Sequence, residues 1–138
     1  MNLNPFLLFD GNCAEAMTFY QSCLGGELTI TRVADTPMKD QAPSGQHQKV
    51  AFAHLQSGAI QISGTDWQHQ TRAFNPGNTV GVYLTSDNAT DLTTAFDKLS
   101  VGADPGLLDP LTDMPFGVYG HLCDAYGVHW FFRGERNA

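Results

Sequence analysis

The chain has 138 residues, of which 42% are hydrophobic and 15% charged, so it can bury one core of ordinary size and is not a disordered tail. Its formal charge is −7, and its seven Lys and Arg are scattered, which excludes nucleic acid and an anionic membrane as partners because both need clustered cations. Cys13, Cys23 and Cys123 have no CxxC spacing, which argues against a disulfide framework or a zinc knuckle and for reduced thiols in the cytoplasm.

Residues 3–9 read as a strand. Asn12 is positioned as an N-cap, and Glu15 three residues on would complete a capping box. The helix so opened carries Ala16, Phe19, Tyr20 and Leu24 and stops at Gly25-Gly26, where glycine accepts the left-handed geometry of a helix end. Leu28, Ile30 and Val33 suggest the next strand. Residues 34–47 hold two prolines and little apolar content, and read as a mobile surface loop long enough to act as a lid. Val50 to Leu55 and Ala59 to Ser63 read as a hairpin turning at Ser57-Gly58. Residues 66–78 are a polar linker. A strand then runs from Thr79 to Thr85, a helix from Asn88 to about Val101, and a weak strand lies near Leu107 and Leu108. Phe116 to Cys123 and Val128 to Arg133 are stronger strands, joined at Asp124-Ala125-Tyr126-Gly127.

The chain says one phrase twice. Asn12-Cys13-Ala14-Glu15 returns as Asn88-Ala89-Thr90-Asp91, Tyr20 as Phe96, and Gly26 as Gly102, each run following a short apolar strand. Each half therefore reads strand, helix, three strands. The expected architecture is α+β: two βαβββ modules forming a curved mixed sheet, with module one at 1–65, the linker at 66–78 and module two at 79–138 of a single domain.

That double order resembles the vicinal oxygen chelate superfamily, the glyoxalase, bleomycin resistance and dioxygenase fold, and within it the PhnB-like branch, also labelled 3-demethylubiquinone methyltransferase-like. The resemblance rests on Pro5-Phe6-Leu7-Leu8-Phe9-Asp10-Gly11-Asn12, Leu24-Gly25-Gly26-Glu27, Phe116-Gly117 and Asp124-Ala125-Tyr126-Gly127-Val128-His129-Trp130. It implies a divalent metal held by His, Glu or Gln from four strands, two per half. Motif register sets those positions at Asn4, Phe52, Gly81 and Phe131, none of which is a good ligand. The family's metal site is therefore expected to be absent, leaving no cofactor. The alternative is a displaced divalent metal on a set such as His54, Gln61 and His129, serving a lyase, transferase or dioxygenase.

Strand alternation gives the residues facing away from the helices. In the first half these are Asn4, Phe6, Leu8, Phe52, His54, Gln61 and Ser63, with His54 expected opposite Gln61 and Phe52 opposite Ser63. In the second half they are Gly81, Tyr83, Thr85, His129, Phe131 and Arg133; Val82, Leu84, Val128, Trp130 and Phe132 face the helix. Phe6, Phe52, Tyr83 and Phe131, with His54, Gln61, Ser63 and His129, make an aromatic hollow with sparse polar groups, the character of a small-molecule site. His121 lies on a strand whose face the alternation leaves open, His47 and His69 read as solvated, and Trp67 reads as a cavity lid or interface anchor.

No GxGxxG, GxxxxGK[ST] or GxSxG motif occurs, which removes nucleotide and serine-hydrolase readings. Cys13 sits in a helix first turn, where a thiolate is stabilised, but no partner base is identifiable, so it reads as a buried structural thiol. Asp10 and Asp124 read as turn residues. The expected function is metal-free binding of a small aromatic or amphipathic molecule by a cytoplasmic homodimer.

Overall fold

A computed structural model describes residues 1–135 as two compact units that divide between Pro76 and Gly77. The first unit, module one, runs β1 (Phe6–Phe9), α1 (Cys13–Leu24), β2 (Glu27–Arg32), β3 (Val50–Ser57) and β4 (Ile60–Asp66). Its sheet order is β1-β4-β3-β2, with β1 parallel to β4 and the other pairs antiparallel. The second unit, module two, repeats this with β5 (Val82–Ser86), α2 (Ala89–Leu99), β6 (Leu108–Met114), β7 (Gly117–Cys123) and β8 (His129–Gly134), ordered β5-β8-β7-β6. The α+β, two-module reading is thus the observed architecture, and the weak strand near Leu107 is a full seven-residue β6.

Each helix is held by a stripe at helical spacing. Cys13, Ala16, Met17, Tyr20 and Cys23 are buried on α1, facing Phe9, Ala53, Leu55 and Ile62. Leu92, Ala95, Phe96 and Leu99 are buried on α2, and Phe96 meets Phe132 edge-on with ring centres 5.0 Å apart. Gly26 turns the chain from α1 into β2 at φ +92°, and any Cβ there would strike the Gln56 carbonyl and Ser57, so only glycine fits.

The duplicated phrase does different work in the two modules. Asn88 caps α2 as expected, its Oδ1 accepting the Asp91 N–H at 2.9 Å. Asn12 makes no side-chain cap bond, so the capping box expected there does not form. Asp66, at the end of β4 and 2% exposed, takes over. Its Oδ1 accepts the Cys13 N–H at 2.9 Å and its Oδ2 the Val50 N–H at 2.8 Å. A carboxylate is a stronger acceptor than an amide and suits the positive end of a helix.

Residues 34–47, read as a mobile loop, are built largely of three short 3-10 turns. His47 closes them: its Nε2 lies 2.9 Å from the Lys39 carbonyl and 3.0 Å from that of Ala42. Both partners are acceptors, so Nε2 carries the proton. His47 is therefore a structural donor, not the solvated side chain expected. Trp67 donates its indole N–H to the Arg72 carbonyl and packs against His69 and Phe74, which orders the start of the segment read as a linker.

Replacing Asp66 with Ala strands two buried N–H groups, at about 1–3 kcal/mol each, while Asn12→Ala stays within about 0.5 kcal/mol. Asn88→Ala loses about 1 kcal/mol, so urea unfolding of the three variants should rank Asp66 first and Asn12 last.

Candidate functional site

In each module the helix covers one sheet face and leaves the other open. On module one the open face carries Phe6, Leu8, Phe52, His54, Gln61 and Ser63, as alternation predicted. Phe6 and Phe52 remain 50% and 47% exposed, with ring centres 6.0 Å apart. The hairpin turns at Gly58-Ala59, one residue later than read, so His54 lies opposite Ser63 and Gln61 opposite Gln56. The partner of His54 thus moves by two residues, from Gln61 to Ser63, and an even shift keeps every side chain on its predicted face.

The polar groups there are fixed in a chain. Ser63 donates its hydroxyl to Asn4 Oδ1 at 3.2 Å, and its Oγ lies 2.9 Å from His54 Nδ1. Because the hydroxyl proton points to Asn4, His54 supplies the proton of the second bond and keeps the acceptor on Nε2.

On module two the open face carries Tyr83, His129, Phe131 and Arg133, all anticipated, and also His121, Tyr119 and Asp109, whose places were not. His121 lies opposite both Phe131 and Asp109. Its Nε2 is 2.9 Å from His129 Nδ1, and its Nδ1 is 3.6 Å from Asp109 Oδ2. The Phe131 ring stacks on His121 at 4.5 Å between centres, 25° from parallel. Arg133 lies over the Phe116 ring, 5.1 Å from its centre, and donates to the Phe116 carbonyl at 3.2 Å. A separate hollow of about 190 Å³ sits on the helix side of this module, beside Leu92, Leu111, Val118 and the carboxylates Asp113 and Glu135.

The positions implied for a metal do not make a metal site. Gly81 and Phe131 fall on or beside β5 and β8, whose counterparts in module one are β1 and β4; Phe52 lies instead on β3. The open-face residues of β4 are Gln61, Ser63 and Thr65, and Asn4 is already bonded to Ser63. A Cβ placed on Gly81 would run into the Phe131 ring, so an aromatic side chain fills the space a ligand at 81 would use. Among the described residues, no three His, Cys, Asp or Glu side chains gather as metal ligands. A catalytic metal needs about three protein ligands and an open position, and the residues present do not fit one. In the displaced set, His54 and His129 commit Nδ1 to Ser63 and His121 and keep Nε2 for another partner, while Gln61 lies opposite Gln56 and not His54.

Cys13 is fully buried, and burial, reinforced by the Asp66 carboxylate, pushes its thiol from 9.0 up to about 12. Burial also raises the Cys123 thiol, helped by Asp124 and Asp104. Both are protonated at neutral pH and are not nucleophiles. Asp124 is a turn residue as expected, with a second role: it accepts the Tyr126 and Val128 N–H groups on Oδ1 and the buried Trp130 indole on Oδ2.

Two four-stranded βαβββ sheets with one helix each define a protein of the glyoxalase, bleomycin resistance and dioxygenase fold. The chain belongs to the 3-demethylubiquinone-9 3-methyltransferase family, whose model matches residues 1–132. It is 28% identical to Protein YjdN of Escherichia coli over 94% of this chain and 92% of that one. Among solved structures it is similar to protein PA1353 of Pseudomonas aeruginosa, 25% identical, with a TM-score of 0.86 and 99% of each chain covered. It is also similar to a Bacillus cereus PhnB protein described as a putative 3-demethylubiquinone-9 3-methyltransferase, 25% identical, with a TM-score of 0.70 over 97% of this chain and 99% of that one.

Two outcomes follow from this geometry. Gly81→Ala displaces the partly exposed Phe131 ring and destabilises by up to about 1 kcal/mol in denaturant unfolding. The raised Cys13 thiol favours the folded state below its ordinary value and withdraws that support as pH climbs, so stability falls from about pH 9 upward. A Cys13→Ala variant, compared across the same range, should show a shallower alkaline decline.

Proposed function

We propose that this chain binds a small aromatic or amphipathic molecule on its open sheet faces without the metal associated with its fold. The observation that carries the reading is the Phe131 ring standing where a ligand from position 81 would reach, beside half-exposed aromatics and few, already oriented polar groups. Exposed aromatic surface of this kind marks binding sites more often than bare surface. The family's description names a methyl transfer, which requires a site for a methyl donor. The sequence has no Gly-rich strand–helix turn that would hold a nucleotide-like donor, so binding is the reading taken.

A thermal-shift screen of small phenols, aromatic acids and amphiphiles tests it. A binder at a hundred times its dissociation constant stabilises by about 2.7 kcal/mol, and the shift should shrink in Phe52→Ala or Tyr83→Ala. Both side chains are about half exposed, so neither substitution threatens folding. Ni²⁺, Mn²⁺ and Zn²⁺ should leave the melting temperature unchanged. A stoichiometric divalent metal in native mass spectra of the purified protein sinks the metal-free reading.

A further inference from the structure

We infer that Asp109, His121 and His129 form an oriented chain that makes His129 Nε2 the acceptor for the proton of a weakly acidic aromatic ligand of the phenol class. The inference rests on the reading that module two's open face receives a small aromatic molecule, and names its chemistry. Three strands place the groups: Asp109 lies on β6, His121 on β7 and His129 on β8.

The direction follows from the proton count. One proton lies between His121 Nε2 and His129 Nδ1, 2.9 Å apart. The Asp109 carboxylate, 3.6 Å from His121 Nδ1, is beyond hydrogen-bond length but favours a proton on that nitrogen. A neutral His121 protonated at Nδ1 has its lone pair on Nε2, so His129 donates from Nδ1. A neutral His129 then has its lone pair on Nε2, for which no partner stands among the described residues. In the transfer, a phenol O–H breaks, an N–H forms at Nε2, and the electron pair stays on the phenolate oxygen. The imidazolium formed keeps its Nδ1–H on His121.

The other groups facing the pair are Tyr119 and Cys123 on β7, Tyr83 on β5 and Arg133 on β8, with Asp104 and Asp124 beside Cys123. Phe131, stacked on His121, offers an aromatic wall for a ring. His54 lacks this arrangement, since its Nδ1 partner is the neutral Ser63 hydroxyl.

The test combines ¹⁵N spectra of the histidines with binding of 4-nitrophenol, whose ionised form absorbs visible light. His129 should appear as the Nδ1–H tautomer. Bound 4-nitrophenol should ionise about one pH unit lower than in solution, a tenfold change in the ratio of its forms. His129→Gln should abolish that displacement, Asp109→Asn should shrink it, and His54→Gln should leave it intact. His129 found as the Nε2–H tautomer overturns the inference. So does 4-nitrophenol that binds with the same ionisation in wild type and His129→Gln, a result that leaves the binding reading standing. Failure of 4-nitrophenol to bind overturns the phenol assignment, whereas the wider thermal-shift screen judges the binding reading itself.

Discussion

A buried carboxylate with both oxygens committed to backbone N–H groups ties module one together. Asp66 reaches from the end of β4 to the first residue of α1 and the first residue of β3, so helix and hairpin cannot move apart without stranding a charge. Removing one partner of such a group is far more destabilising than losing an exposed bond. Burial raises the Cys13 thiol, and the same carboxylate adds to that by repelling a thiolate there. Module two solves the matching problem at another place, with Asp124 folding the β7–β8 turn onto itself and onto Trp130. Two copies of one topology are thus locked by carboxylates at non-equivalent points.

That locking leaves the open faces free to differ. With each core secured from the helix side, the opposite faces keep large apolar side chains in water, Phe6 and Phe52 on one sheet and Tyr83 on the other. Their polar groups are not loose. Module one aligns His54, Ser63 and Asn4 in a neutral chain, whereas module two aligns His129, His121 and Asp109 in a chain ending on a carboxylate. Both chains engage the histidine through Nδ1, but the chain of His129 has a carboxylate at its far end and that of His54 has an amide.

The order of strands and helices was legible because each element announces itself locally: apolar alternation in Ile60–Asp66, the stripe of Leu92, Ala95, Phe96 and Leu99, the glycines after Leu24. The helix-facing and open faces of β1, β3, β4, β5 and β8 were legible for the same reason. What escaped was pairing at a distance. Asn12 and Glu15 look like a capping box, yet the cap comes from Asp66, and nothing local advertises an acceptor so far along the chain. His121 escaped for a related reason. Joining the strands through Asp124–Gly127 would set Cys123 opposite Val128 and His121 opposite Trp130, on the helix face. The turn also absorbs Val128, whose N–H goes to Asp124, so Cys123 meets His129 and His121 moves to the open face.

That single residue in the turn decides the chemistry of module two. Asp124 takes three donors within seven residues, Tyr126, Val128 and Trp130, and a turn without Val128 would leave that carboxylate short of a partner in a buried place. The register of β7 against β8 is therefore enforced by the demands of a buried charge, not by the side chains on the open face. His121 and His129 are neighbours because Asp124 needs the Val128 N–H. The same register stacks the Phe131 ring on His121, and that ring also fills the space a Cβ at Gly81 would enter. One strand register thus sets the histidine pair and the Phe131 ring side by side on the open face of module two.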